Sequence, residues 1–220
     1  PSLALPGDLT NLLATRLDRL PENARRTVRL AAVYGTAFNA ADLAGCFGVS
    51  LRAVGDDIDR LLGDGLVQTE VRQGNARFAF RHATVRDVAY QQISHHDRRS
   101  LHGRAARYLI ELGEPPLVAA THALRSRDRA IELEVLPAAG SAATKAWDLK
   151  LATSIYERLV EIEDGADRED AGLELARLDL IAGRSDRFTA LLEPRSHEPA
   201  RRAGQDLVLA EHAFNSGRLT

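Results

Sequence analysis

The sequence predicts a mainly α-helical protein: a winged-helix domain with one β-hairpin, followed by helical repeats of the tetratricopeptide type. Three observations carry this prediction. Capping residues and glycines divide residues 8–65 into four amphipathic helical segments. Two short strand-like segments follow, with a turn signal between them. Beyond residue 117 the pattern is helical throughout, and one segment recurs at an offset of 34 residues.

Two helices are predicted before Gly35. The first begins after an N-cap at Asp8 and runs to about Leu20, where Pro21 ends it. Its apolar stripe consists of Leu9, Leu12, Leu13, Leu17 and Leu20. The second helix occupies residues 23–34. Its inward face consists of Ala24, Val28, Ala31 and Ala32, and its outward arginines are Arg25, Arg26 and Arg29.

Two more helices are predicted between residues 39 and 65. A third helix runs from an N-cap at Asn39 through Phe47. Ser50 caps a fourth, which ends at Gly63 and Gly65. One face of this fourth helix consists of Leu51, Val54, Ile58, Leu61 and Leu62.

A β-hairpin is predicted after the fourth helix. Residues 66–71 read as a strand, residues 73–75 as a turn, and residues 76–81 as the returning strand. Phe78 and Phe80 give the returning strand one aromatic face. An order of three helices and a hairpin is typical of a winged-helix domain, a relative of helix-turn-helix.

Winged helices often bind DNA through the last helix before the hairpin, so the charge of that helix matters. Between residues 50 and 64 it carries Arg52 and Arg60. Against these stand four aspartates, Asp56, Asp57, Asp59 and Asp64. A helix that enters a phosphate-lined groove should be basic. We therefore expect this helix to serve in packing, and DNA binding by this chain to be the less favoured alternative.

A basic pair, Arg81 and His82, stands between the returning strand and the next helix. That helix has Val85, Val88 and other apolar residues at helical spacing and is expected to run to about Ser94. Because the segments on both sides have packing patterns, this strand-to-helix corner is the predicted functional position.

A further helix is predicted from Asp97 to about Leu112. Residues 95–107 hold a surplus of positive charge and three histidines: Arg98, Arg99, Arg104, Arg107, His95, His96 and His102. The segment is read either as a solvated helix face or as a docking face for an acidic partner. Its adjacent histidines do not form a metal site, since neighbouring helical residues point about 100° apart.

Residues 113–116 are the predicted boundary between a winged-helix domain (1–112) and a helical-repeat region (117–220). Within the latter, LARLDLIAGR at 175–184 matches LAEHAFNSGR at 209–218. A 34-residue period is that of tetratricopeptide repeats, whose stacked helix pairs leave a concave binding surface. Trp147 and Asp148 are predicted to form a tight turn between two helices, with Trp147 packed between them.

Composition limits the classes of function. Net charge is −2, which argues against a large electrostatic footprint on DNA or a membrane. No apolar run reaches the roughly 20 residues that cross a bilayer. The single cysteine, Cys46, is read as a buried thiol and fits a reducing, cytoplasmic location. Because the chain lacks methionine and opens on Pro1, we expect it to be a segment of a longer parent protein.

Three runs carry a resemblance to a known class: LTNLLATRLDRLPENARRTVRLAAVYGTAFNAADLAGCFG, IDRLLGDGLVQ and RFAFRHATVRDVAYQQISHHDRRSLHGRAARYL. They resemble the segment downstream of the ATPase core in bacterial STAND-class signal-transduction ATPases. That class includes large ATP-binding LuxR-type transcriptional regulators and the ATPase-linked adenylate cyclases of actinobacteria. The resemblance covers residues 3 to about 112, and more loosely the repeats from 117.

The resemblance implies a regulatory switch in the parent protein. The upstream ATPase core binds ADP or ATP, and the winged helix packs on its nucleotide site in the closed form. An inducer protein or small molecule on the repeats, together with ATP exchange, would open the assembly and permit self-association. The histidine at the end of the wing resembles one that contacts the nucleotide phosphates, here His82, with Arg81 as a second candidate. The alternative is that His82 caps local backbone groups.

One departure limits what this chain does alone. It contains no GxxxxGK[ST] phosphate loop, so we expect no tight nucleotide binding, no hydrolysis and no cofactor of its own. No nucleophile–base set stands out either, because Ser94 and His95 are merely neighbours in sequence. The favoured function is a regulatory and interaction module. The alternatives are a DNA-binding winged helix and an interaction scaffold of an ATPase-linked adenylate cyclase.

Overall fold

The computed structural model describes residues 7–72, 75–184, 188–192 and 196–215. The chain divides into two compact units, Pro1–Glu111 and Leu112–Thr220. The predicted fold class is confirmed. The structure is mainly α-helical, with a small antiparallel sheet among the N-terminal helices and consecutively packed helix pairs after it.

The first unit follows the predicted order of helices and hairpin. Its elements are α1 (Gly7–Asp18), α2 (Glu22–Tyr34), β1 (Ala37–Phe38), α3 (Ala40–Phe47), α4 (Leu51–Gly63), β2 (Val67–Arg72), β3 (Asn75–Phe80), α5 (Ala83–Gln91) and α6 (His95–Glu111). The predicted N-caps of α3 and α4 are confirmed, because Asn39 and Ser50 accept backbone hydrogen bonds from Asp42 and Ala53. Two boundaries differ, since α5 ends three residues early and α6 begins two residues early.

The sheet has three antiparallel strands in the order β1–β3–β2. The predicted hairpin is confirmed, with Val67 opposite Phe80. Two residues of its predicted turn, 73 and 74, lie outside the described residues. The short strand β1 was not predicted: two residues show no alternation, and only the pairing of Phe38 with Phe78 across the sheet identifies them as a strand.

The core of the first unit forms around the aromatic face of the sheet. Phe38 is fully buried, and its ring centroid lies 6.2 Å from that of Phe78 and 5.8 Å from that of Phe80. The predicted helix faces meet this cluster through Leu17, Val28, Leu43, Ile58 and Leu61. The sheet and the helices around it therefore share one core, which fixes the end of β3.

Helix α1 departs from its prediction in two ways. It begins at Gly7, so Asp8 lies inside the helix and does not precede it. Leu12 is 65% exposed, so its place in the apolar stripe was wrong, whereas Leu17 and Leu20 are buried as predicted. The side chain of Leu9 lies outside the described residues. Leu13, Leu17 and Leu20 pack in the core of the first unit, whereas Leu12 points to solvent.

The second unit is helical throughout its described residues. Its elements are α7 (Pro116–Ser126), α8 (Arg129–Lys145), α9 (Leu149–Ile162), α10 (Gly165–Ile181), α11 (Phe188–Leu191) and α12 (Pro199–Asn215). Consecutive helices from α7 to α10 pack side by side, and α12 packs on α10. The two 17-residue helices α10 and α12 begin 34 positions apart, so the segments matched in sequence occupy equivalent helices. Residues 216–218 of the match lie outside the described residues.

The turn between α8 and α9 is at the predicted position, but Trp147 does not have the predicted role. Trp147 adopts a positive φ of 57°, and Asp148 caps α9 by accepting the Leu151 amide hydrogen bond at 3.1 Å. The indole is 71% exposed, so the prediction that it packs between helices was wrong. Reversing the chain at this residue places it beyond the helix–helix contact, where Tyr156 and Leu159 of α9 are buried.

A buried ion pair joins α8 to α9. The Glu132 side chain has no exposed surface, and each of its carboxylate oxygens accepts a 2.8 Å hydrogen bond from Arg158. The same guanidinium also donates to Glu161 at 2.8 Å. Sequence reasoning missed this pair because its partners are 26 residues apart and lie on different helices.

Candidate functional site

Backbone hydrogen bonds fix the strand-to-helix corner at Arg81 and His82. The Arg81 amide donates to the carbonyl oxygen of Leu66 at 3.1 Å, which ties the end of β3 to the segment that leaves α4. His82 has extended backbone angles, φ −134° and ψ 136°, and its carbonyl accepts from Val85 at 3.0 Å as α5 begins. The position of the corner is therefore set by main-chain contacts, and both side chains are left available.

The side chains of Arg81 and His82 are exposed. Neither makes a hydrogen bond or ion pair within the part of the chain that the structure describes. His82 occupies the N-cap position of α5, but its imidazole does not bond to the helix N-terminus, so the capping alternative is not observed. The structure thus leaves a guanidinium and an imidazole exposed on two consecutive residues of this corner.

A second guanidinium lies beside this corner. Arg16 of α1 donates to the carbonyl oxygen of Asp64. The Nη1 atom of Arg81 lies 3.5 Å from the point where a Cβ on Gly65 would stand. Both arginines therefore approach the same peptide, between Asp64 and Gly65. Sequence reasoning missed Arg16, because nothing in its spacing connects α1 with the end of β3.

Chemically, the corner suits a phosphate or a carboxylate. A guanidinium donates in a planar fork that matches such oxygens, and an imidazole adds a donor whose charge depends on pH. Charge-assisted hydrogen bonds of this kind are about twice as strong as neutral ones. The Arg16 guanidinium is partly engaged with a backbone carbonyl, so Arg81 and His82 are the groups most available to an anion.

The exposed charges of α4 balance each other. Arg52 and Arg60 are exposed, and so are Asp56 and Asp59. Asp57 is half-buried and accepts a 2.6 Å hydrogen bond from the Thr27 hydroxyl. This face of the helix therefore presents no net positive charge to a phosphate backbone.

The basic segment at 95–107 is divided between packing and solvent. His102 is buried, with its Nε2 2.9 Å from the Tyr90 hydroxyl. The Arg98 guanidinium lies 4.7 Å above the Tyr90 ring and donates to the Gln91 carbonyl at 2.8 Å. These residues join α6 to α5, whereas Arg99 and Arg104 remain exposed. Neither alternative drawn from the sequence describes the whole segment.

Cys46 is buried in the core of the first unit. Desolvation raises the pKa of its thiol to about 12, against the opposing influence of the nearby Arg104 guanidinium. At pH 8 the thiolate population is then roughly three orders of magnitude below that of a free cysteine.

We therefore expect the folded protein to react with a thiol-specific disulfide reagent roughly 10³-fold more slowly than glutathione. Adding denaturant should restore a fast reaction with one thiol per chain. Rapid labelling of the folded chain would contradict the buried, protonated thiol.

A groove of about 730 Å³ lies in the second unit between α8, α9 and α10. Its floor is largely apolar and includes Leu133, Pro137, Tyr156 and Leu159. Its rim carries one arginine, Arg129, and five carboxylates, Glu163, Asp164, Asp167, Asp170 and Glu174. Burial raises the pKa of Glu163, and the negative charges of Asp167 and Asp170 raise it further. Three of the carboxylates are in ion pairs, Asp164 with Arg129, Asp170 with Arg201 and Glu174 with Arg177. Among the described residues, Glu163 and Asp167 have no ion pair, so the groove combines an apolar floor with a rim that keeps a negative excess.

No protein-family model, curated protein or solved structure matches the chain. Among the described residues, no group of three or more histidine, cysteine, aspartate or glutamate side chains could hold a metal ion. In the same residues, no helix has the length and apolar character needed to cross a bilayer. A functional proposal must therefore rest on the geometry of the corner and the grooves.

Proposed function

We propose that this chain is a regulatory and interaction module of a STAND-class signal-transduction ATPase of the LuxR-type regulators. In this proposal the first unit packs on the nucleotide site of an upstream ATPase core, and the helix pairs of the second unit recognise an inducer. The observation that carries it is the corner at Arg81 and His82. Two exposed donor side chains without partners in the described residues stand where the resemblance expects a phosphate contact.

Contact with phosphate would use the donors that the corner already presents. His82 would donate from its imidazole to a β-phosphate oxygen, and Arg81 would donate from its guanidinium. Because the backbone of both residues is held by hydrogen bonds to Leu66 and Val85, the donors need little ordering before they bind. ATP-for-ADP exchange or movement of the core would break this contact and release the first unit.

The groove of the second unit supports the interaction half of the proposal. An apolar floor of about this size can bury part of a partner, while the carboxylate rim favours a partner that carries positive charge. The proposed inducer therefore binds through both apolar contact and charge.

Calorimetric titration of ADP tests the nucleotide contact. We expect no saturable ADP or ATP binding by this chain alone, because it lacks a phosphate loop. Adding the chain to its upstream ATPase core should tighten ADP binding by that core. With the His82→Ala chain, the ADP affinity of the core should be about tenfold lower than with the unchanged chain, which is the expected effect of losing one charge-assisted hydrogen bond.

His96→Ala is the matched control, because His96 is also exposed and lies in the same unit away from the corner. It should leave the gain unchanged. Nucleotide binding by the chain alone would mean that an unrecognised phosphate site exists. If the ADP affinity of the core does not change when the chain is added, the proposed contact is wrong.

The DNA-binding alternative makes a separate prediction. With exposed charges balanced on α4, we expect no salt-dependent binding of duplex DNA in a fluorescence-anisotropy titration at 50 mM salt. Binding that weakens steeply as salt rises, and that is lost in Arg52→Gln, would instead favour DNA recognition by α4.

A further inference from the structure

A second cavity lies in the first unit, away from the corner, and has a volume of about 350 Å³. We call it the arginine pocket. Its cationic wall is formed by Arg26 and Arg29 of α2 and Arg104 of α6, and its apolar floor includes Leu30, Phe47 and Ile93. All three floor residues are buried.

The three guanidinium groups of the arginine pocket have no carboxylate partner in the part of the chain that the structure describes. Within the described residues none of them forms an ion pair, although Arg25 on the same helix pairs with Glu22 at 3.3 Å. Arg29 donates only to the neutral amide oxygen of Gln92, at 3.2 Å, and its buried Nε has no acceptor. The guanidinium of Arg104 lies 5.8 Å from the centre of the Phe47 ring.

Two carboxylates also line the pocket, but each has a partner. Glu22 pairs with Arg25, and Asp97 accepts a 2.6 Å hydrogen bond from the Ser94 hydroxyl. The charge of Glu22 is balanced by Arg25, whereas Asp97 keeps its negative charge because its partner is a neutral hydroxyl. Three cations therefore face one unbalanced anion, and the pocket keeps a positive excess. Three like charges around one cavity repel each other, and a bound anion would offset that repulsion.

The apolar floor narrows the class of ligand. Leu101 also lines the pocket and is only half-buried, so inorganic phosphate alone would leave its side chain uncovered, whereas an apolar body attached to the anion would cover it. The volume is near the lower end of the roughly 300–1,000 Å³ found for ligand pockets. A short alkyl chain or a single ring fits this size better than a nucleotide.

We propose that the arginine pocket binds a small organic anion, with one phosphate or carboxylate group against the three arginines and an apolar body against Leu101. The pocket shares no residue with the Arg81–His82 corner. The result of testing it therefore does not depend on whether the proposed nucleotide contact is correct.

Calorimetry on the whole chain with four probes tests the ligand class: hexyl phosphate, hexanoate, 1-hexanol and inorganic phosphate. We expect saturable binding of at least one of the two six-carbon anions. The tighter of these shows whether phosphate or carboxylate is preferred. Both the alcohol and inorganic phosphate should bind at least about tenfold more weakly than that anion, because each lacks one half of the recognition.

Arg104→Gln and Arg26→Gln test the cationic wall, since both residues are exposed and can be replaced without opening the core. Each should lower the affinity for the preferred anion about tenfold, with an unchanged circular dichroism spectrum. Arg99→Gln removes the same charge from an exposed position of α6 outside the pocket and should have little effect. The proposal is overturned by absence of anion binding at 10 mM probe, by equal binding of 1-hexanol, or by equal losses in Arg99→Gln and Arg104→Gln.

Discussion

Replacing Arg158 with methionine should destabilise the second unit by about 3–5 kcal/mol, the usual cost of removing one partner of a buried ion pair and leaving the other charge unpaired. Glu132 has no exposed surface, and both of its carboxylate oxygens depend on the Arg158 guanidinium. These hydrogen bonds also raise the pKa of Arg158, so the guanidinium stays charged at every ordinary pH. Urea unfolding at pH 7, followed by far-ultraviolet circular dichroism, measures the loss. Hydrogen exchange in peptides from α8 and α9 locates it.

Two variants separate this explanation from a general effect of lost charge. Combining Arg158→Met with Glu132→Leu removes both ions, and we expect most of the stability to return. Arg129→Met breaks the exposed pair between Arg129 and Asp164 and should cost no more than about 1 kcal/mol. If Arg158→Met costs no more than Arg129→Met, the buried pair does not stabilise the contact between α8 and α9.

Phe38→Ala should destabilise the first unit by about 3–5 kcal/mol. The ring is fully buried between Phe78 and Phe80, so its removal leaves a cavity that the short strand β1 cannot collapse to fill. Thermal and urea unfolding of the whole chain measure the change. Because β3 carries Arg81 at its end, the same variant should also weaken any nucleotide effect that depends on the corner.

Val71→Ala is the control for this prediction. Val71 is also an apolar residue of the sheet, but its side chain is 72% exposed. Its replacement should change the free energy of unfolding by about 0.5 kcal/mol or less. Equal effects of the two substitutions would mean that Phe38 does not anchor the core.

The parts of the fold that sequence predicted well are those set by local rules. Asn39 and Ser50 begin their helices because a side-chain oxygen can satisfy a free amide a few residues away. The hairpin follows from alternation, and its aromatic face from Phe78 and Phe80. The 34-residue match identified equivalent helices because a repeated packing role requires similar residues at the same helical positions.

The missed features depend on contacts between distant segments. Strand β1 exists only through its pairing with β3, and Arg16 reaches the carbonyl of Asp64 only because α1 packs on α5, the helix that follows the corner. Trp147 was predicted to pack between two helices, but the chain reverses at that residue and the indole is exposed. For the candidate site, sequence identified the exposed Arg81–His82 pair and could not supply its neighbouring guanidinium or the arginine pocket.

The exposed position of Trp147 determines how this protein can be followed by fluorescence. It is the single tryptophan of the chain, and its indole is largely in water before unfolding begins. Its emission maximum should therefore shift little when the chain unfolds, and a fluorescence scan would not detect the unfolding transition. Three of the four tyrosines, Tyr34, Tyr90 and Tyr108, lie in the first unit, so tyrosine signals mainly follow the folding of that unit, whereas circular dichroism follows the helices of both. Conversely, quenching of the indole by an added partner would mark binding near the turn between α8 and α9.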